Sequence, residues 1–227
     1  PAQFAGHSLG EWSALVCAGA VDFADAVSIV RARGAYMQEA VPVGVGAMAA
    51  IIGLDDEAIR TACVEAQSFG IVAAVNYNAP GQVVIAGEVK AVDQAMSLCK
   101  DAGAKRALPL PVSAPFHTSL MKPAAERLTP LVESTVFSVP VVPVIHNVNG
   151  QSQSDPIMIK NLMIEQIYSP VHWVDCVLAL RDRGAEHLIE CGPGRVLNGL
   201  SKRIDRELRS FATDDIDSLE NALASLK

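Results

Sequence analysis

Aromatic residues make up only 5% of this sequence and charged residues only 19%. A disordered chain or a coiled coil needs far more charge, so both are excluded, and a 50% hydrophobic content points to a well-filled core. Basic residues are in deficit, 18 against 25 acidic ones for a net charge of −7. A general nucleic-acid binder carries the opposite balance, because it must neutralise phosphates. No apolar run reaches the ~18 residues that span a bilayer; the stretch from Val43 to Leu54 is shorter and glycine-broken. The first residues carry no basic-then-apolar pattern, so no signal peptide is expected. The five cysteines (Cys17, Cys63, Cys99, Cys176 and Cys191) include no C-x-x-C pair, and there is no H-E-x-x-H or clustered His/Cys set. No metal, cofactor or disulfide framework is implied; the expectation is reduced, buried thiols in a cytoplasmic protein. A chain of 227 residues can form one or two domains. It opens at Pro1 and reaches a turn of active-site type within eight residues, which reads as a fragment of a longer chain.

What is present suggests an interrupted α/β fold. A short strand at Pro1–Gly6 leads into a helix from Ser8 to Cys17, and Asp22 caps a second helix running to about Ala40. Pro42 and the Gly44/Gly46 pair mark a boundary. Strands are expected at Ala47–Leu54, Ile71–Asn76, Gln82–Ala86 and Lys105–Val112, with helices at Asp55–Ala66 and Val89–Ala102. That β-α-β-β-α-β order is the ferredoxin-like signature, so residues 42–112 are expected to form an inserted subdomain. Residues 1–41 and 113–227 then form a hydrolase-like parallel-sheet core. Its later elements are helices at Ser119–Ser134, Asp155–Ile167, Pro170–Arg183, Gly194–Ile204 and Asp217–Leu226, with strands at Val141–Val148 and His187–Cys191.

Gly6-His7-Ser8-Leu9-Gly10 matches the G-x-S-x-G nucleophile elbow, with glycines making room for a sharp strand-to-helix turn that exposes the Ser8 hydroxyl. The helix N-terminus favours developing negative charge, and the Leu9 N–H can donate to an oxyanion. Ser8-x-x-Glu11 is also a capping box, which would make Ser8 a mere cap. A cap does not account for the two glycines or the entering strand.

A serine nucleophile needs a base. His7 belongs to the elbow itself. His146 lies in an apolar strand, His172 in the first turn of a helix and His187 before a strand; all three read as structural. His117 follows a strand through the Ser113-Ala114-Pro115-Phe116 turn, at the sheet edge where open α/β sheets bind ligands, and is the candidate base. On the second helix, Phe23, Ala26, Val27 and Val30 define an apolar stripe that continues onto Arg33, Gly34 and Met37, whereas Arg31 points away. A core-facing guanidinium needs an anion: either a protein carboxylate in a buried salt bridge, or a substrate carboxylate gripped bidentately.

Together Ser8, His117 and Arg33 bring a family into view. The chain resembles the malonyl-CoA:acyl carrier protein transacylases of bacterial fatty-acid synthesis. The matching stretches are residues 6–11, Arg33 to Gln38, Asn76 to Gln82, Ser113 to His117 and Glu190 to Gly194, in order. The resemblance implies Ser8 as nucleophile, His117 as base, Leu9 as oxyanion donor, and Gln166 as the residue whose backbone carbonyl orients His117. It implies Arg33 as ligand of the malonyl carboxylate, with Met37, Phe116, His7, Asn78 and Val196 as further substrate-binding residues. Phe116 resembles the malonyl-selective form of its turn. Malonyl-CoA and acyl carrier protein are the implied partners, with no nucleic acid and no membrane. The family's N-terminal strand and its G-Q-G-x-Q loop, source of a second oxyanion donor, have no counterpart here.

Two alternatives stay open. In a serine esterase or thioesterase water would accept the acyl group, although its base usually lies near the chain end. A non-catalytic carrier-protein docking module is the other. For carrier docking, Lys105-Arg106 is preferred over the cluster Lys202, Arg203, Arg206 and Arg209, because its strand leads to His117. Gly44–Ala49 resembles a dinucleotide fingerprint but precedes a strand where that motif must follow one. Gly192-Pro193-Gly194 reads as a tight connection before a helix.

Overall fold

A computed structural model describes residues 1–112 and 114–226; Ser113, the first residue of the turn expected before His117, lies outside them. A four-stranded antiparallel sheet forms the middle of the chain. Its strands are β2 (Gly46–Ile52), β3 (Val72–Ala79), β4 (Gln82–Glu88) and β5 (Arg106–Pro109), in the spatial order β3-β4-β2-β5. Helices α3 (Asp56–Ala66) and α4 (Val89–Asp101) close one face. Their apolar sides, with Ile59, Cys63, Val92 and Met96, meet Ile51, Val83 and Ile85 from the sheet in one core. Asp55 accepts from the Ala58 N–H and so caps α3, as its position before an apolar-periodic run demands.

The remaining strands form two parallel pairs, β1 (Phe4–Ala5) with β6 (Val144–Ile145), and β7 (His187–Glu190) with β8 (Arg209–Ala212). Both pairs are parallel, as expected of the parallel-sheet core. Among the described residues the two pairs share no ladder, although Ala5, Ile145 and Leu188 pack in the same apolar cluster with Trp173 and Val177. The strand expected over Val141–Val148 shrinks to two residues. Pro143 has no N–H to donate, and β1 offers only Phe4 and Ala5 as partners. β8 was not foreseen: its buried positions are the small Ser210 and Ala212, too weak a period-2 signal to read.

Helix α1 (Leu9–Cys17) follows β1 directly, and α2 (Phe23–Glu39) is capped by Asp22, whose side chain accepts from the Ala24 N–H. Then come α5 (Lys122–Ser134), α6 (Pro156–Glu165), α7 (Trp173–Asp182), α8 (Val196–Ile204) and α9 (Ile216–Ser225). Helices α1, α2, α5 and α6 share a second core built on Trp12, Leu15, Ile29, Leu128 and Met163. The sheet is tied to the cluster around Trp173 and Val177 through β3, which bulges away from β4 around Val75 and Asn76. There Val171 N–H donates to Val75 O at 2.8 Å and Tyr77 N–H donates to Val171 O at 3.0 Å. Tyr77 also stacks on His172 just before α7. No described helix is long and apolar enough to cross a membrane. Of the five thiols, Cys63, Cys99 and Cys176 are buried, but Cys17 and Cys191 are exposed, against the expectation that all would be buried.

Candidate active site

The site begins with an unfavourable backbone. Ser8 sits at φ 51°, ψ −105°, outside the regions that L-residues ordinarily occupy, and its side chain makes no capping hydrogen bond to α1. The capping-box reading is thereby set aside. Strain of this kind costs about 1–3 kcal/mol and persists only where neighbours over-determine it. Those neighbours are explicit. The Ser8 N–H donates to Asn147 Oδ1 at 2.7 Å, and Gln166 Nε2 donates to Ser8 O at 2.9 Å. Gly6 approaches the start of α1 so closely that a Cβ there would lie 2.0 Å from Gly10 C and O. Gly10 itself is different: a Cβ on it would meet nothing within 4 Å, so only the first of the two motif glycines is required by space.

Around Ser8 Oγ the structure gathers His117, Arg33 and Gln166. Ser8 Oγ lies 2.8 Å from His117 Nε2, and Arg33 Nη2 donates to the same oxygen at 3.0 Å. His117 Nδ1 is 2.9 Å from the backbone O of Gln166. A carbonyl oxygen can only accept, so Nδ1 carries the proton and Nε2 presents its lone pair to the Ser8 hydroxyl. His117, like Ser8, has a positive φ, 64°. Burial pushes its imidazole down to about 3, the Arg33 charge adds to that shift, and the Gln166 carbonyl opposes it. The ring is therefore neutral at physiological pH, as a proton acceptor must be. Phe116, beside it, is half-buried between two apolar clusters.

Arg33 is buried, at 6% exposure, but the stripe that carries it differs from the expected one. Phe23 and Val27 are 68% and 50% exposed, and Gly34 is exposed too. The buried line is Ala26, Ile29, Arg33 and Met37, because α2 rests its inner face on α1 and α5 one step round from the most apolar positions. Among the described residues no carboxylate comes within ion-pair distance of Arg33. Its Nη2 also donates to Gln166 Oε1 at 3.1 Å, and its Nε is buried without a partner. Burial lowers the guanidinium to about 10, with the Glu11 charge opposing the shift.

His7 Nε2 is 2.8 Å from Asn78 Oδ1, and its ring lies against Trp173. Burial lowers its pKa, and the Asn78 hydrogen bond works the other way. This contact ties the elbow to the end of β3. Met37 is packed in the core, and the Leu9 N–H at the start of α1 has no hydrogen-bond partner among the described residues. Val196 is exposed in the first turn of α8, outside the hydrogen-bonded group. His146, expected to be a satisfied core histidine, is fully buried with Nδ1 held and Nε2 unpartnered.

Two residues that support the site were not singled out from the sequence. Asn147 is fully buried, and besides Ser8 it holds Gly6 O through Nδ2 at 2.8 Å. The available signal was a polar pair, His146-Asn147, closing an apolar run. Glu11, taken only as a capping partner, is 0% exposed. Its carboxylate accepts from His146 Nδ1 at 2.7 Å, from Asn147 N–H at 3.1 Å and from Gln166 Nε2 at 2.7 Å.

An elbow serine, a neutral histidine with a fixed tautomer and a buried arginine lacking a carboxylate describe an acyl-transfer site for an anionic acyl group. Comparison with known proteins agrees. Residues 1–216 match the acyl transferase domain family. The chain is 53% identical over 223 residues to the malonyl CoA-acyl carrier protein transacylase of Escherichia coli, covering 98% of this chain and 72% of that protein. It belongs to the malonyl CoA-acyl carrier protein transacylase family. The corresponding enzyme of Bacillus subtilis is 48% identical over 224 residues, 98% of this chain and 71% of that protein. Among solved structures, the acyl-carrier-protein S-malonyltransferase of Burkholderia pseudomallei superimposes with a TM-score of 0.96 at 51% identity, over 99% of this chain and 73% of that one. A malonyl-transacylase solved in complex with its type II PKS acyl-carrier protein gives 0.97 at 51% identity, over 99% and 73%. This family member thus spans a little under three quarters of its relatives' length.

Proposed function

We propose that the chain moves a malonyl group from malonyl-CoA to the phosphopantetheine thiol of acyl carrier protein through a malonyl ester on Ser8. The observation that carries this is the shared contact at Ser8 Oγ: His117 Nε2 at 2.8 Å to take the proton, and Arg33 Nη2 at 3.0 Å. Ser8 Oγ attacks the thioester carbonyl while His117 accepts its proton, and the Leu9 N–H donates to the developing oxyanion. Collapse expels the CoA thiolate, which takes the proton from His117. The carrier thiol then repeats the steps in reverse, with His117 again the base. Arg33 holds the malonyl carboxylate by donors no protein carboxylate occupies, and Gln166 keeps both His117 and Arg33 in place. His7, Asn78, Met37, Phe116 and Val196 are assigned to substrate contact on the family resemblance.

The strand order β3-β4-β2-β5 with α3 and α4 on one face supports reading residues 42–112 as a ferredoxin-like insertion in a hydrolase-like core of residues 1–41 and 113–227. A cytoplasmic location fits this chemistry. Mass spectrometry after mixing with malonyl-CoA tests the proposal: a malonyl adduct that Ser8→Ala abolishes and that carrier protein discharges is expected. Hydrolysis without transfer points to an esterase, and no adduct to a docking module. Ser8→Ala removes no helix cap but does remove the hydrogen bonds of Ser8 Oγ with His117 and Arg33, so the fold should persist with a modestly lowered Tm.

A further inference from the structure

Arg33 and Glu11 are opposite charges buried in one site, yet they do not pair. Glu11 is fully enclosed and its three donors come from His146, Asn147 and Gln166. The Gln166 amide stands between the charges: Arg33 Nη2 donates to its Oε1 at 3.1 Å, and its Nε2 donates to Glu11 Oε2 at 2.7 Å. The amide therefore has one orientation, oxygen toward the cation and nitrogen toward the anion. We propose that Glu11 is a positioning residue that serves as the remote counter-charge of Arg33, acting through the Gln166 amide, so that the guanidinium is balanced but stays free for the carboxylate of the acyl group.

The physical argument has two parts. A buried guanidinium without a compensating charge is costly, and Glu11 is the carboxylate whose charge favours ionised Arg33. A direct Arg–Glu pair would meet that cost but would occupy the forked donors a substrate carboxylate needs. Insertion of an amide keeps the attraction while Arg33 donates only to neutral oxygens, Ser8 Oγ and Gln166 Oε1, and its Nε has no partner. Two of those three hydrogen bonds, from Gln166 and Asn147, hold the residues that fix the strained Ser8 backbone, so Glu11 links charge balance to the geometry of the nucleophile.

This inference rests on the transfer reading above, and Glu11→Gln separates charge from shape. A glutamine can keep every hydrogen bond, with its oxygen in the place of Oε2 and its nitrogen donating to His146 Nδ1. His146 needs only to move its proton to Nε2, which has no partner to lose. Acylation of Ser8 by malonyl-CoA and by acetyl-CoA is measured in both proteins. With the competing negative charge gone, KM for malonyl-CoA should fall roughly 5- to 10-fold, while KM for acetyl-CoA and both values of kcat stay within about 3-fold. Glu11→Ala, which releases Gln166 and Asn147, should lower kcat for both donors about 100-fold. A Glu11→Gln enzyme that matches wild type with both donors, loses both alike, or raises KM for malonyl-CoA overturns the proposal. A second measurement does not depend on activity. In an Arg33→Ala background Glu11 is the uncompensated charge, so adding Glu11→Gln should raise Tm there and lower it in the wild-type background. Equal shifts in both backgrounds overturn the proposal. Failure of wild-type protein to form any malonyl adduct would instead overturn the transfer reading itself.

Discussion

The two glycines of the elbow should respond to alanine in opposite directions. At Gly6 an added Cβ would lie 2.0 Å from both C and O of Gly10 and 2.5 Å from the Glu11 N. These are backbone atoms of the first turn of α1, so no side chain can swing aside. Ordinary carbon contacts begin near ~3.5 Å, so the turn must retreat by more than ~1 Å. Ser8 lies between the two glycines, and its 2.8 Å contact with His117 Nε2 cannot survive such a shift. A misplacement of about 1 Å at a reacting centre costs on the order of 100-fold in rate, and overpacking of this kind about 1–3 kcal/mol or more in stability. At Gly10 the added Cβ meets nothing within 4 Å, and the residue is helical. Alanine there removes the entropy penalty of a helical glycine, about 0.5–1 kcal/mol, which for a chain of this size raises Tm by roughly 1–4 °C. Stopped-flow acylation by malonyl-CoA and thermal unfolding monitored by circular dichroism read both effects. Normal acylation by Gly6→Ala, or a Gly10→Ala protein as damaged as Gly6→Ala, would refute the geometric reasoning.

Arg33→Ala should lose malonyl transfer at least 100-fold while acetyl transfer changes far less, because only malonyl carries a free carboxylate; equal losses point to a structural role. Acylation should show no protonation limb near pH 6.5, since His117 is held near 3. The same lowered value makes stability pH-dependent in a definite sense: unfolding releases His117 to its ordinary value of ~6.5, so its contribution is full above pH 6.5 and is lost as pH falls toward 3. Urea midpoints for wild type and His117→Ala between pH 7 and 4 check this, and parallel curves count against it. Lys105 and Arg106, both exposed where the chain enters β5, should bind the acidic carrier protein. Reversing both to Glu should weaken transfer to the carrier, less so at high salt, and leave acylation by malonyl-CoA unchanged; equal slowing of both half-reactions rules this surface out.

Local chemistry was legible along the chain because local rules decide it. Asp22 and Asp55 cap helices wherever they precede an apolar-periodic run. The elbow announces itself by a glycine two residues before the serine, and that glycine is the one a Cβ would ruin. The order of strands and helices through residues 46–109 likewise follows from periodicity and turns. Arg33 stood out as a charge on an apolar stripe, but which stripe is buried depended on how α2 leans on α1 and α5, and Phe23 and Val27 fell on the outer side. The strand at Val144 was read too long, since ladder length depends on how much partner strand there is. What tertiary structure alone decided is the company each polar group keeps. Glu11, His146, Asn147 and Gln166 are separated by up to 155 residues, and in the sequence they read as a cap, a core histidine, an unremarkable amide and a residue marked only for its backbone carbonyl. Only folding brings them out of water together, where donors must find acceptors, and that requirement turns a residue that reads as a helix cap into an anchor of the Ser8 turn.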